Sequence, residues 1–288
     1  MKSLSIRESR IGMLLAFPAI FGLFVFFLIP FCITLYYSLT DSIAIGKFVG
    51  FQNYSSVLTS STFRLAAFNT FKFNLIAVPL IIVISFGIAL LLHRKLRGTT
   101  LFLTIFSFPL VVPTVSVILF FQIIFSESGA ANAVLNAIGF PIVDWLNSSN
   151  AFIVLVVLYI WKNAGYNIIL FLAALNSVPK EIYEAADIDG AGAYRKLTRI
   201  TVPLIIPSVF FIVIISIINS FKSFREAYIL CGTLPNKSIY MLQHFLNNNF
   251  ANLNYQRLSV AAILVFLVIF VIVFAMLKIK EKIGDYEM

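Results

Sequence analysis

The sequence predicts an all-α, polytopic membrane protein with six transmembrane helices and both termini in the cytoplasm. Three observations support this prediction: the composition, the length of the apolar runs and the placement of the positive charges. Hydrophobic residues make up 60% of the 288-residue chain and charged residues only 11%, with a mean hydropathy of +0.99. Such a composition excludes an ordinary soluble domain.

Six apolar runs are each long enough to cross a bilayer, which takes roughly 20 helical residues. None alternates apolar and polar residues as a barrel strand does, so each is predicted to be a helix. The runs are about Ile11–Tyr37, Thr70–Leu92, Leu101–Phe125, Ala151–Leu175, Leu204–Ser220 and Ser259–Leu277. Five prolines are expected to interrupt the first three runs and to indicate a packed bundle, because neighbouring helices must satisfy the freed backbone groups. They are Pro18, Pro30, Pro79, Pro109 and Pro113.

The first run is interpreted as a transmembrane helix rather than a signal peptide. Lys2, Arg7 and Arg10 precede it, as they would in a signal peptide. The run is, however, too long for the apolar region of such a peptide, and no small-residue cleavage site follows it.

The positive charges alternate along the chain between rich and poor segments. Thirteen of the 21 lysines and arginines lie in four segments, whereas the segment between Phe125 and Ala151 has none. The thirteen are Lys2, Arg7, Arg10, Arg94, Lys95, Arg97, Lys180, Arg195, Lys196, Arg199, Lys278, Lys280 and Lys282. By the positive-inside rule these segments are cytoplasmic, which requires an even number of spans. The same distribution argues against a nucleic-acid surface despite the net charge of +9.

The longest predicted cytoplasmic connection contains the densest charge cluster, and residues 177–203 are called the charged segment below. Its sequence predicts a helix over Lys180–Asp187, a break at Asp189 and Gly190, and a second helix over about Ala191–Ile200. A solvated loop is the alternative interpretation. The small residues around the glycine break favour a surface that docks into a cleft of a cytoplasmic partner.

The charged segment also resembles the EAA motif of permease subunits of binding-protein-dependent ABC importers. The resemblance rests on Glu184-Ala185-Ala186, then Gly190, then Ile200 and Pro203, and YEAADIDGAGAYRKLTRITVP most resembles the maltose-type carbohydrate permeases. It extends to WKNAGYNIILFLAALNSVPKEIYEAA and FKSFREAYIL. Val202 stands where the family usually has leucine, a conservative departure.

The resemblance implies that a separate cytoplasmic ATPase binds the charged segment. The residues implied in this contact are Glu184, Ala185, Ala186, Asp189, Gly190, Ile200 and Pro203. ATP and Mg²⁺ would be held by the ATPase, because this chain contains no GxxxxGK[ST] phosphate loop. Further implied partners are a second homologous permease, a second ATPase copy and an extracytoplasmic solute-binding protein. The chain, residues 1–288, would be one multi-pass transmembrane domain in a bacterial cell membrane.

Polar residues inside the fourth and fifth runs predict a path for a sugar. Tyr159, Asn163 and Tyr166 share one helix face, as do Ser216, Asn219, Ser220 and Ser223 on the next helix. The resemblance places the sugar pocket of maltose-type permeases near Asn163, Tyr166, Ser216 and Ser220. Interhelical hydrogen bonding is the alternative role of such residues. Lys162 and Lys222 either extend to the outer interface or point inward, where they would favour an anionic substrate.

The sequence shows no catalytic or metal-binding set. His93 and His244 fall on opposite sides of the predicted membrane, and Cys32 and Cys231 are isolated. This argues against an intramembrane hydrolase, and the resemblance implies that the chain is a transporter subunit and not an enzyme. An importer of glycerol phosphate or another solute remains an alternative within the family. An ion-coupled secondary carrier is the alternative of another class, although every Asp and Glu falls outside the six apolar runs.

Overall fold

The structure is a computed structural model that describes residues 6–43, 46–94 and 98–284. Within these ranges the chain is helical and has no strand, apart from an isolated antiparallel bridge between Thr40 and Phe48. The helices are α1 Ile6–Leu23, α2 Ile29–Ser38, α3 Gln52–Thr59, α4 Ser61–His93, α5 Thr99–Val111, α6 Thr114–Ile124, α7 Ala130–Ala137, α8 Ala151–Asn176, α9 Lys180–Ile188, α10 Ala193–Lys196, α11 Val202–Lys222, α12 Phe224–Cys231, α13 Leu242–Ala251 and α14 Tyr255–Gly284.

Some of the predicted charges lie outside the described part of the chain. They are Lys2, Lys95 and Arg97, together with the side chains of Arg7, Arg10 and Lys282.

Five helical stretches among the described residues are long and apolar enough to cross a membrane. They are Gly12–Ser38, Ser61–His93, Ala151–Asn176, Ala193–Cys231 and Tyr255–Glu281. The bent pair α5–α6 provides a sixth candidate if it is counted as one span. The predicted all-helical membrane class is confirmed, with five or six candidate spans.

The third predicted run is broken, because α5 and α6 meet at an angle of 100°. Pro113 explains the break. The residue before a proline avoids helical geometry, and Val112 accordingly has ψ of 133°. The expected interruption is therefore found at this proline.

The other four predicted interruptions are wrong. Pro18, Pro79 and Pro109 lie inside continuous helices. Pro30 is the second residue of α2 and has no N–H for the carbonyl of Phe26 four residues earlier, which favours a wider turn just before it. The π-helical turn Phe24–Leu28 joins α1 to α2 without a break. Local widening of the helix thus accommodates a proline without ending the span.

The chain divides into two compact units, of which the smaller comprises Met1–Phe63 and Leu246–Val268. Phe31 and Phe266 make an edge-to-face ring contact in it at 5.0 Å. Asn53 donates to the carbonyl oxygens of Ser38 and Thr40 at 3.1 and 2.9 Å. These bonds hold the connection that follows α2 against α3.

The larger unit comprises Arg64–Phe245 and Ile269–Met288. Helix α8 is its centre, since α8 residues belong to three buried apolar clusters, each shared with other helices. One contains Phe73 and Ile81 of α4, one contains Ile205 and Ile212 of α11, and one contains Val117 and Ile118 of α6. A helix that is apolar on all sides is typical of such a buried position.

Small residues allow the neighbours of α8 to approach closely. A Cβ atom added at Gly165 would lie 1.9 Å from the carbonyl oxygen of Phe106 in α5, so no larger residue fits there. Ser85 of α4 donates to the carbonyl oxygen of Ala164 at 3.4 Å. Close packing at small residues is the usual basis of helix association in membranes.

Candidate functional site

The charged segment contains a helix that ends in a defined glycine motif. Gly190 has φ of +71°, in the left-handed region that favours glycine. Its N–H donates to the carbonyl oxygen of Asp187 at 3.1 Å, and the N–H of Ala191 donates to that of Ala186 at 2.9 Å. These two bonds form a Schellman motif, which satisfies the last carbonyls of α9.

Two side-chain contacts hold α9 to the chain that follows. Lys196 pairs with Asp187 at 2.6 Å, and the Tyr183 hydroxyl lies 2.8 Å from the Thr201 hydroxyl. Ala186 of α9 is also buried. The charged segment is therefore a fixed hairpin of helices rather than a solvated loop.

The opposite side of this hairpin is open. Glu184, Ala185 and Asp189 are exposed, and the apolar side chains of Ile188 and Tyr194 are 88% and 80% exposed. Exposed apolar side chains beside charged ones are typical of an interaction surface.

The predicted second helix over Ala191–Ile200 is wrong in its extent. Helix α10 covers only Ala193–Lys196, and a π-helical turn over Leu197–Thr201 leads directly into α11. Pro203 lies in the first turn of α11 and has no N–H for the carbonyl of Arg199 four residues earlier, which favours the wider turn. Ile200 lies in this turn and is half-buried.

Polar side chains of α8, α11, α12 and α13 surround a cavity of about 420 Å³, called the polar cavity below. It is lined by Lys162, Asn163, Asn219, Phe221, Lys222, Ser223, Arg225, Glu226 and Gln243. Three of the seven predicted substrate-binding residues are among them: Lys162, Asn163 and Asn219.

The other four predicted substrate-binding residues are not in this lining. Tyr159 donates its hydroxyl to the carbonyl oxygen of Ser216 at 2.7 Å, and Asn167 donates to the Ser216 hydroxyl at 2.9 Å. Ser220 donates to the side-chain oxygen of Asn74. These buried bonds join α8, α11 and α4, the interhelical role that was the alternative interpretation. Tyr166 is exposed.

Glu226 is a site residue that the sequence did not indicate. It falls outside the six predicted apolar runs, but it lies in α12, within the helical stretch Ala193–Cys231. Its carboxylate is buried and pairs with Lys162, whose ammonium group also donates to the Thr114 hydroxyl at 3.0 Å. The pair thus ties α8 to α12 and α6. The charge of Lys162 inside an apolar run was the one signal that a carboxylate had to lie nearby.

His244 has a structural role in the connection into α13. Its Nδ1 accepts the backbone N–H of Met241 at 3.2 Å, and its ring stacks on Tyr240. Burial lowers the pKa of His244 to about 4, so the imidazole is neutral at physiological pH. No group of three or more potential metal ligands occurs among the described residues.

The fold and the site define the class of this protein. It is a polytopic membrane protein that has a polar cavity among its helices and an exposed helical hairpin between two spans. The chain belongs to the family of binding-protein-dependent transport system inner membrane components, whose family model matches residues 81–282. It is accordingly a membrane-embedded subunit of an ABC importer and not an enzyme, as predicted.

The chain is similar over about three quarters or more of its length to permease proteins of named transport systems. It is 30% identical over 289 residues to the trehalose/maltose transport system permease protein MalF of Thermococcus litoralis, covering 99% of this chain and 97% of that one. It is 36% identical over 224 residues to the arabinooligosaccharides transport system permease protein AraP of Bacillus subtilis, covering 74% and 69%. The sn-glycerol-3-phosphate transport system permease protein UgpA of Rhizobium meliloti is 33% identical over 251 residues, covering 84% of each.

A solved structure shares the fold. A chain in the crystal structure of a bacterial alginate ABC transporter, in complex with an alginate pentasaccharide-bound periplasmic protein, superposes with a TM-score of 0.82. The identity is 23%, and 94% of each chain is covered.

Proposed function

We propose that this chain is the permease subunit of an ATP-driven, binding-protein-dependent importer of an oligosaccharide, and that it forms half of the translocation pore. The proposal depends mainly on one observation: in a chain of this family, the charged segment forms a fixed hairpin whose surface is exposed to solvent. The carbohydrate cargo is supported by the relatives that transport trehalose, maltose and arabinooligosaccharides.

The full arrangement follows from this role. All of residues 1–288 form one transmembrane domain with six spans, counting α5–α6 as one, and both termini are cytoplasmic. A second homologous permease completes the pore. Two ATPase subunits bind ATP and Mg²⁺ in the cytoplasm, and a solute-binding protein delivers the sugar from outside in a bacterial cell. The exposure of the charged segment supports a partner on that side.

The residues of the charged segment divide into two roles in the ATPase contact. The exposed Glu184, Ala185 and Asp189 touch the ATPase, together with the apolar tips of Ile188 and Tyr194. The other implied residues hold the hairpin in shape. They are Ala186, Gly190, Ile200 and Pro203.

The substrate path also divides into two groups. Lys162, Asn163 and Asn219 contact the sugar in the polar cavity, where amide groups supply the donors and acceptors that hydroxyls need. Interhelical hydrogen bonds hold the helices around the path in place. They are made by Tyr159, Ser216 and Ser220. Tyr166 is exposed and outside the lining, so a contact of Tyr166 with the sugar would be made outside the polar cavity.

Charge reversal of Glu184 tests the ATPase contact. We expect Glu184→Lys to abolish ATP-driven uptake while the amount of this chain in the membrane stays unchanged, because an exposed side chain can be replaced without loss of packing. Uptake is measured in vesicles that contain the complete importer. Glu127→Lys, which reverses an exposed charge in the connection between α6 and α7, is the matched control and should transport normally. Normal uptake by the Glu184 variant would contradict the assignment.

A further inference from the structure

The polar cavity carries an excess of positive charge. We propose that the imported oligosaccharide is anionic and that Lys222 and Arg225 bind its acidic groups. This inference rests on the proposed function, because it takes the polar cavity to be part of the sugar path. It adds the charge class of the cargo and two specificity-determining residues.

The charges in the cavity lining do not cancel. Three cations and one carboxylate line it: Lys162, Lys222, Arg225 and Glu226. Glu226 is paired with Lys162, so this carboxylate and this ammonium group neutralise each other. None of the ion pairs in the described part of the chain includes Lys222 or Arg225. The cavity therefore has two cations in excess.

The helix junction brings these two cations to the same wall. Ser223 ends α11 and begins α12, so Lys222 is the last residue of one helix and Arg225 the second residue of the next. Both lie within the apolar helical stretch Ala193–Cys231, and charges inside such stretches are costly and typically face a water-filled cavity. The guanidinium of Arg225 can bind a carboxylate through two parallel hydrogen bonds, and Lys222 adds a second charge.

The rest of the lining suits the sugar part of such a cargo. Asn163, Asn219, Ser223 and Gln243 offer both donors and acceptors to hydroxyl groups. A volume of about 420 Å³ lies within the range of small-ligand sites. An anionic saccharide matches both the hydroxyl-binding and the charged parts of the wall.

An anionic lipid headgroup shares the chemistry that the two cations would recognise. The anion is supplied by the membrane in one case and by the cargo in the other, so changing the lipid composition distinguishes the two. In vesicles of phosphatidylcholine alone no anionic lipid is present, and any effect of the cations on uptake must then come from the cargo.

The test uses the importer purified through a tag on this chain with its partner subunits and solute-binding protein, placed in phosphatidylcholine vesicles. ATP-dependent uptake is measured for probe pairs that share a sugar backbone and differ in charge. The pairs are galactotriose and trigalacturonate, cellotriose and cellotriuronate, and mannotriose and trimannuronate, with glycerol 3-phosphate as a non-saccharide anion. We expect the acidic member of one pair to accumulate and its neutral counterpart to remain outside.

Variants then test the two cations. Lys222→Gln with Arg225→Gln should lower uptake of the acidic probe about tenfold, because each removes a charge-assisted contact. The charge-preserving pair Lys222→Arg with Arg225→Lys should retain most of the uptake. If the two residues had only a structural role, this pair would lower uptake as much as the glutamine pair does. Lys237→Gln is the matched control, since it removes an exposed cation outside the cavity lining. Recovery of the partner subunits with the tagged chain checks assembly.

The outcomes separate the inference from the proposed function. Uptake of a neutral probe alone would overturn the inference and leave the proposed function standing. An effect of the variants that appears only after phosphatidylglycerol is added would assign the cations to lipid and also overturn the inference. If no saccharide accumulates with ATP, or glycerol 3-phosphate accumulates instead, the proposed oligosaccharide importer itself is overturned.

Discussion

Single residues decide how charge is tolerated within the apolar helices. Lys162 lies in the middle of α8, where an unpaired ammonium group would be costly. Glu226 and Thr114 satisfy it from two other helices. Lys222 and Arg225 are not compensated in this way, so charge is neutralised in one part of the polar cavity and retained in another. Lys162 and Glu226 thus join helices, whereas Lys222 and Arg225 line the cavity without an ion-pair partner among the described residues.

The ion pair gives a prediction for stability. Lys162→Met leaves the buried Glu226 carboxylate uncompensated, and Glu226→Gln leaves the lysine unpaired. Each should destabilise the folded protein by about 3 kcal/mol, the lower end for a broken buried pair because Lys162 is partly solvated. The double variant should recover most of the loss. Thermal unfolding of the protein in nanodiscs measures the three effects in a double-mutant cycle, and additive losses would show that the pair is not coupled.

Individual elements adapt to proline and glycine in different ways. Pro79 and Pro109 stay inside helices, and Pro203 is accompanied by a π-helical turn, whereas Pro113 ends one helix and starts another. Gly190 reverses the chain between α9 and α10. The shape of the charged segment follows from this one glycine and the two hydrogen bonds around it.

Two glycines of the charged segment form a matched pair of test sites. Cβ atoms at Gly190 and Gly192 would both meet open space, but only Gly190 has a positive φ. Gly190→Ala should therefore cost about 1 kcal/mol in backbone strain, and Gly192→Ala should cost less. Amide hydrogen exchange at Ala191, whose N–H caps α9, should become about fivefold faster in the first variant only. Equal exchange in both variants would argue against the strained turn.

At the scale of the whole molecule, the distinction is between a subunit that depends on a separate ATPase and a carrier that works alone. Membership of the binding-protein-dependent transport family supports the first. Glu226 lies within an apolar helical stretch, where a coupling carboxylate of a secondary carrier would also lie. Its pairing with Lys162 gives it a structural role instead.

Energy supply separates these two classes of transporter. Vesicles that contain the complete importer should accumulate sugar only with ATP, and chelation of Mg²⁺ by EDTA should stop uptake, because the ATPase requires the metal for phosphoryl transfer. Vesicles that contain this chain alone should accumulate nothing under a proton or sodium gradient. Gradient-driven uptake by the chain alone would contradict the proposed function.

The sequence by itself determined the membrane class, the approximate spans, the helix and glycine break of the charged segment, and the family. These properties depend on local composition, turn chemistry and contiguous motifs, all of which can be read along the chain. Only the tertiary structure decided which polar residues line the cavity and which join helices. Asn163 and Ser216 have similar polarity in sequence, but one faces the cavity and the other accepts a bond from Asn167. The Lys162–Glu226 pair could not be predicted from the sequence either. Its partners are 64 residues apart, and only the packing of α8 against α12 brings them together.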